Sequence, residues 1–466
     1  MPATSASRTK PVSTIRRVSF HTLGCKLNQA ETSAIAAMFR LRGYQIVPFR
    51  QEADLTFINT CTVTNEADAK SRQAIRQAVR ASPGGRVVAA GCYAQIAPHE
   101  VAALEGVDMV LGSREKHRML EFLDLLEGGK LATPLVRVGD KEELETWDET
   151  SFYSEPAAGE ALGSTPVAGR SRAFLKVQEG CSYQCSYCII PVARGAGASR
   201  PLEDCLAAAR RLVAAGSGEI VITGVNIGTW QWQGQQLHHL LGKLSDLRGL
   251  RRIRVSSIEP NLVTDELLHV MAERDNIAPH LHVPLQHASD AVLKAMRRRY
   301  LFRDYRQILE RIRTALPQAA IGADVIVGFP GETEGDFAQL AEALTTLPLT
   351  YHHIFRYSER SGTVAAHMTS AVDPALRKRR GRVLREISHK RRETVAQQAV
   401  GQTRLVHLER PVGAGSWEGL TDNYLRVRVS VPGPLDDRFQ PVRLTGVGPD
   451  GLLGRLARPR SEAAAA

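Results

Sequence analysis

Residues 180–188 read GCSYQCSYC, which sets Cys181, Cys185 and Cys188 in a C-x3-C-x2-C pattern within one short loop. The loop directly follows RAFLKV (172–177), the first of six strand-like runs; EIVITGV, RIRVSS, HLHVPLQ, ADVIVG and YHHIFRY complete the set. Helical patterns such as LEDCLAAARRLVAAG and YRQILERIRTALP separate them. Six strand–helix units in succession predict a partial (β/α)6 TIM-like barrel, where chemistry gathers at the carboxyl ends of the strands. The three thiols stand at that end of the first strand. Structural zinc sites use paired C-x2-C units with four ligands, and these are absent. A cubane iron–sulfur cluster takes one thiolate for each of its irons. Three thiols in one loop would leave the fourth iron for an outside ligand, making that position the active one. The bland alternative is three incidental cysteines.

Working toward the amino terminus, VSFHTL, DLTFIN, RVVAAG and VDMVLG alternate with helical patterns near 30–42, 65–81 and 98–104. That alternation predicts a doubly wound parallel sheet over 17–130, so the fold class is α/β. Cys25, Cys61 and Cys92 are far apart in sequence, yet each sits just beyond one of these strands. In a parallel sheet all such points lie on one edge, where ligands bind. Gly24 and Gly91 permit tight turns beside two of the thiols. The set reads either as a second metal site or as three buried thiols. Cys205, in the helix after Pro201, reads as a core residue.

Residues 131–168 read as a linker: between Asp140 and Glu160 there are eight acids against one Lys. Residues 1–16 read as a disordered tail without the apolar segment of a secretory signal. No stretch is long and apolar enough for a membrane span. A cytoplasmic protein is expected. The barrel region with its basic connecting helix covers 169–395, and that helix carries nine Lys or Arg from Arg377 to Glu393. Beyond 396 the runs TRLVHLER, YLRVRVS, QPVRLTGV and LLGRLA predict a small antiparallel OB-like barrel. Residues 446–451, GVGPDG, satisfy G-x-G-x-x-G, but no helix follows and Pro449-Asp450-Gly451 is turn chemistry, so a hairpin is expected. The net charge of +11 suits a polyanionic partner. The basic helix and the run Arg297-Arg298-Arg299-Tyr300 could clamp RNA; a solvated strut and a plain helix end are the alternatives.

The C-x3-C-x2-C loop, with aromatic Tyr187 before the last cysteine, resembles the signature of radical S-adenosylmethionine enzymes. Together with TLGCKLN, NTCTVTN, GCYAQ, SSIEP and VGFPGET, it resembles the methylthiotransferases over about 17–457. TLGCKLNQAET and NTCTVTNEADAKSRQAIRQA look most like the bacterial branch that adds a methylthio group to C2 of N6-threonylcarbamoyladenosine at tRNA position 37. The resemblance implies two [4Fe–4S] clusters, one on Cys181, Cys185 and Cys188 and an auxiliary one on Cys25, Cys61 and Cys92. It implies S-adenosylmethionine as cofactor, with Tyr187, Thr223, Gly224, Ser257, Glu259, Val327 and Gly328 near it. It further implies that the carboxyl-terminal barrel is a TRAM RNA-binding domain. The expected partners are a tRNA anticodon stem-loop, an electron donor such as a reductase or flavodoxin-like protein, and a sulfur donor. No membrane is involved, and a monomer is expected. HVPLQHASD departs from the QSGS form common in the tRNA branches and leaves Gln286 and His287 unassigned. The competing readings are action on N6-isopentenyladenosine tRNA or a ribosomal-protein aspartate, and a non-catalytic iron–sulfur RNA-binding protein.

Overall fold

DLTFIN and RVVAAG form the two central strands of a six-stranded parallel sheet in the computed structural model, which describes residues 14–140 and 172–457 except 414, 432, 434 and 436. The chain divides into two units, within residues 1–156 and 157–466. The first holds β1 (Arg17–Thr22), β2 (Gln45–Val47), β3 (Leu55–Thr60), β4 (Arg86–Gly91), β5 (Met109–Leu111) and β6 (Leu135–Arg137) in the order β2-β1-β3-β4-β5-β6. Every residue of β3 and β4 is buried, as expected of strands covered on both faces. Helix α1 (Lys26–Leu41) follows β1, and α2 (Asn65–Ala81) follows β3. Thr64 caps α2 by accepting from the Ala67 N–H, and Glu66 and Asp68 complement its amino-terminal dipole. β2 and β6 are three residues each, too short to show a period in sequence. β6 falls inside the stretch expected to be a linker, whose acidic remainder lies outside the described residues. The expected tail gives way to packed chain by Thr14, where Ile15 is buried and the Arg86 guanidinium donates to Thr14 Oγ1 at 3.0 Å.

In the second unit the six expected strands form as β7 (Arg172–Lys176), β8 (Glu219–Thr223), β9 (Arg252–Val255), β10 (His280–His282), β11 (Ala320–Val327) and β12 (Tyr351–Arg356). Two three-stranded parallel sheets, β9-β8-β7 and β10-β11-β12, are joined by single bridges at Ile253–Ile277 and Ser257–His282. The result is a six-stranded partial barrel. Alternate residues, among them Ile220, Ile253, Leu281 and Val325, pack outward into one core with the helices. The opposite face carries Glu219, Arg252, Arg254, His280, His282 and Asp324, a polar interior that period-two alternation dictates once the apolar set points out.

The basic helix α3 (Pro374–Ala399) starts with Pro374 at its first position, and Asp373 caps it by accepting from the Ala375 and Leu376 N–H groups at 2.9 and 3.0 Å. It leads into a closed five-stranded barrel of β13 (Thr403–Pro411), β14 (Ser416–Thr421), β15 (Arg426–Ser430), β16 (Phe439–Gly448) and β17 (Gly451–Leu456). The antiparallel expectation needs one correction: β15 and β17 pair parallel, because closing five strands requires one pair in the other sense. β14, SWEGLT, was not expected; its central Gly and Glu mask it. GVGPDG is the predicted hairpin, with Gly448 opposite Gly451.

A buried carboxylate joins this small barrel to the larger one. Glu219 accepts from Arg254 Nε at 3.0 Å and Arg252 Nη1 at 3.4 Å, and His407 Nδ1 lies at 3.2 Å. Arg254 Nη1 also donates to the Asp422 carbonyl at 2.9 Å, and Arg252 Nη2 to the Leu405 carbonyl at 2.9 Å. Burial alone would raise the Glu219 carboxyl, but Arg254, His407 and Arg252 outweigh it and hold it well below the usual carboxylate range. A lowered folded-state pKa gives stability that is complete above the ordinary carboxylate range and is lost as pH falls below that range through the lowered folded-state value. Glu219→Gln leaves two buried guanidinium groups short of their counter-charge and is expected to cost about 3–5 kcal/mol. Urea unfolding at neutral pH measures this, and the variant should also lose part of the wild-type stability drop on acidification.

Candidate active site

Gln178, buried just past β7, organises the cysteine loop. Its Nε2 donates to the Glu179 and Gly180 carbonyls at 2.7 and 2.8 Å, while its Oε1 accepts from the Val225 and Asn226 N–H groups at 2.9 and 2.8 Å. One side chain thus ties the thiol loop to the loop after β8. Gly224 must lack a Cβ there, since one would come 2.8 Å from the Gln178 carbonyl. Gly180 takes φ +64°, the left-handed region glycine favours. Ser186, between the second and third thiols, is pinned by its N–H to the Met296 carbonyl at 3.0 Å and its Oγ to that of Ala295 at 2.7 Å.

Arg298 closes the loop from the other side. Its Nη1 donates to Cys185 Sγ at 3.2 Å and to the Tyr187 hydroxyl at 3.3 Å, its Nη2 pairs with Glu259, and its Nε donates to the Tyr300 hydroxyl at 3.2 Å. Arg299 lies over the Tyr183 ring at 3.8 Å. Within the run 297–300, Arg298 departs from the sequence expectation of an RNA clamp, whereas Arg297 and Arg299 are exposed. Arg298 turns inward, with its side chain 3% exposed, because the buried Glu259 carboxylate requires a counter-charge. Burial pushes all three thiols up, Cys188 to about 12, and Arg298 partly opposes this at Cys185. Thiols so placed ionise only against a strong local cation, and iron supplies one. The donor set fits an iron–sulfur cluster.

The other sequence-selected positions gather at the same strand ends. Thr223 ends β8 and Gly224 follows it, Ser257 and Glu259 follow β9, and Val327 ends β11 with Gly328 next. Tyr187 packs with Met296, Phe329 and Tyr357. Gly328 has φ +77°, and a Cβ there would run into the Arg377 side chain of α3. Its N–H donates to Glu332 Oε2 at 2.6 Å. Glu332, the acid of VGFPGET, also accepts from Arg380 Nη1 at 2.7 Å and faces His287 Nε2 at 3.4 Å. His287 is thus a buried brace, while Gln286, at φ +60°, bridges to Val325. Arg377 and Arg380 of the basic helix point inward; Lys378, Arg379, Arg382, Arg385, Lys390 and Arg392 are exposed.

In the first unit, Cys25 immediately precedes α1 after β1, Cys61 follows β3, and Cys92 opens the short helix Cys92–Ile96 after β4. β1, β3 and β4 are sheet neighbours, so the three thiols share one edge. Gly24 has φ +94°, and a Cβ on it would lie 2.8 Å from Cys61 Sγ; glycine lets these loops touch. Asn28 Nδ2 donates to the Leu23 and Thr60 carbonyls at 2.8 and 3.0 Å, and Asn59 Nδ2 to the Asn28 carbonyl at 3.1 Å. Ser71 Oγ donates to the Cys61 carbonyl at 3.2 Å and accepts from the Cys61 N–H at 3.3 Å. Sequence reasoning missed Gln178, Asn28, Asn59 and Ser71. The signal for Asn28 and Asn59 was their place beside the cysteines in TLGCKLN and NTC. Cys205 is a core residue, as expected.

Residues 17–112 match the family described as Uncharacterized protein family UPF0004, and residues 175–344 the Radical SAM superfamily. A threonylcarbamoyladenosine tRNA methylthiotransferase, MtaB, from Bacillus subtilis is 39% identical over 88% of this chain and 89% of its own length. Its counterpart from Aquifex aeolicus is 37% identical over 88% of this chain and 96% of its own. The chain belongs to the radical S-adenosylmethionine methylthiotransferase family. A further relative, a tRNA-2-methylthio-N(6)-dimethylallyladenosine synthase from Sphingopyxis alaskensis, is 34% identical over 93% of this methylthiotransferase and 96% of its own length. Membership makes the protein a radical enzyme that uses a [4Fe–4S] cluster and S-adenosylmethionine. Among solved structures, the radical S-adenosylmethionine methyltransferase TsrM from Kitasatospora setae superposes with a TM-score of 0.53 at 15% identity, over 87% of this chain and 77% of that one, a likeness of fold. Among the described residues, no helix is long and apolar enough to cross a membrane.

Arg298→Ala removes the donor to Cys185 and strands Glu259. It is expected to lower reductive cleavage of S-adenosylmethionine about 10–100-fold, measured as 5′-deoxyadenosine released per iron. Unchanged cleavage would show that the guanidinium has no part in the site.

Proposed function

We propose that this methylthiotransferase adds a methylthio group to C2 of N6-threonylcarbamoyladenosine at position 37 of tRNA. The observation that carries the reading is the presence of two three-thiol sets, each at the carboxyl edge of parallel strands. Cys181, Cys185 and Cys188 would hold the cluster that works with S-adenosylmethionine, and Cys25, Cys61 and Cys92 an auxiliary [4Fe–4S] cluster. Together these groups supply hydrogen abstraction from an unactivated carbon and a source of sulfur, which acid–base side chains cannot provide. The chain's own residues bind and orient. Tyr187, Thr223, Gly224, Ser257, Glu259, Val327 and Gly328 present backbone and polar groups around the barrel mouth, an arrangement suited to a zwitterionic, adenine-bearing cofactor. Arg298 pairs with Glu259, partly opposing the rise that burial imposes on its carboxyl, and keeps the Cys185 sulfur hydrogen-bonded.

Exposed cations support tRNA as the partner. Arg426 and Arg428 alternate with buried Val427 and Val429 on β15, and Arg443 and Arg455 pair across β16 and β17. With the exposed cations of α3 they offer phosphate contacts and steer an anticodon stem-loop, whose loop bases are open to reading by stacking and edge contacts. The choice of threonylcarbamoyladenosine over dimethylallyladenosine rests on the two relatives above that carry the former name. A cytoplasmic monomer supplied by separate electron and sulfur donors completes the reading.

Cys185→Ala is expected to abolish 5′-deoxyadenosine formation; cleavage at the wild-type rate would remove the loop from the chemistry. Cys61→Ala should spare much of the cleavage while stopping methylthiolation, so normal product from it would refute the auxiliary role. Mass spectrometry of tRNA nucleosides from a deletion strain tests the substrate. Loss of 2-methylthio-N6-threonylcarbamoyladenosine is expected, whereas loss of only the dimethylallyl derivative assigns the other substrate.

A further inference from the structure

We propose that His282, Asp324 and His353 form a mononuclear site for a divalent transition-metal ion on the inner face of the partial barrel, separate from both cysteine sets. The residues come from three neighbouring strands, β10, β11 and β12, and face the same side, with Asp324 directly opposite His353 in the β11–β12 ladder. His282 Nε2 lies 3.0 Å from Asp324 Oδ1, His353 Nδ1 lies 3.2 Å from the same oxygen, and all three donor atoms fall within 4.8 Å of one another. An ion bound by imidazole and carboxylate at about 2.0–2.2 Å holds neighbouring donors roughly 3 Å apart, so two of the three pairs already stand at that spacing. Little reorganisation is needed.

The surroundings resemble those of a metal ligand set. The second ring nitrogen of His282, Nδ1, is 3.3 Å from the Tyr351 hydroxyl, which is in turn 2.9 Å from His280 Nε2. Such a partner on the far nitrogen fixes the tautomer and aims the ligating one. The Tyr351 ring occupies the space that a side chain on Gly322 would need, so glycine at that point of β11 is what lets the ring reach His282. Tyr424 of the small barrel packs against His280 at a tilt, with ring centroids 4.3 Å apart, and buttresses the layer. Side-chain exposure rises from 9% at His282 through 29% at Asp324 to 48% at His353. The site is therefore anchored on one side and open to solvent on the other, which gives an ion an entry path and leaves coordination positions for water. Two imidazoles and one carboxylate favour Fe²⁺, Mn²⁺, Co²⁺ or Zn²⁺. Mg²⁺ and Ca²⁺ prefer all-oxygen shells. Ser257, one of the positions proposed near S-adenosylmethionine, bridges to His282 through the backbone, so the ion would sit one strand from that mouth.

The test uses the full chain with its clusters in the oxidised, diamagnetic state. Mn²⁺ is titrated in and the free-ion electron paramagnetic resonance signal is followed. Mn²⁺ is a poor thiolate binder, so the cysteines do not mimic the site, and the readout is independent of methylthiolation. The expected result is one saturable Mn²⁺ per chain, displaced by Zn²⁺. His353→Ala and Asp324→Asn should each weaken binding at least tenfold, and Tyr351→Phe about tenfold. His353 is solvent-exposed, so His353→Ala keeps the fold and decides the matter if Asp324→Asn does not fold. Absence of saturable binding in the wild type, or equal binding in wild type and His353→Ala, overturns the proposal and leaves the three residues as a hydrogen-bonded network.

Discussion

Parallel pairing is the constraint from which the functional geometry follows. Each strand in such a sheet must be followed by a crossover back to its starting edge, usually through a helix, so every loop after a strand emerges at the same edge. In the first unit this brings Cys25, Cys61 and Cys92, far apart in sequence, to the ends of β1, β3 and β4 at one rim. In the second it gathers the thiol loop, Thr223, Ser257 and Val327 around one mouth. Glycines at positive φ, Gly24 and Gly328 among them, then let neighbouring loops approach more closely than side chains would allow.

Among the described residues of the larger unit, three enclosed carboxylates each have a guanidinium against them, whereas Asp324 has histidines. Glu259 has Arg298, Glu219 has Arg252 and Arg254, and Glu332 has Arg380. Breaking such a pair leaves a desolvated charge behind, which is costlier than never burying either group. Part of the chain's positive excess is therefore used internally. Exposed cations among the described residues include those on the outer side of α3 and on the small barrel, where Arg426 pairs with Glu418 and Arg428 with Asp450.

Much of this was readable from the amino acids. Six strand–helix units, the cysteines beyond strand ends, and the hairpin at 446–451 all come from periodicity, turn chemistry and spacing, which are local signals. The losses have physical causes. β2 and β6 are too short to display a period, and β14 carries a glycine and an acid in its middle. Gln178 and Ser71 act through hydrogen bonds to backbone of other loops, and no spacing rule reports those. Arg298 looked like its neighbours because a run of arginines does not show which member turns inward; that depends on Glu259, 39 residues away.

The parallel β15–β17 pair has a consequence for how the small barrel meets other molecules. With the ring of strands complete, no row of backbone N–H and C=O groups is left over, so addition of a foreign strand is closed to it. Contact has to be made by side chains and loops, and the outward arginines dominate several of those strands. Such a surface is suited to meeting a partner by charge and shape rather than by extending a sheet.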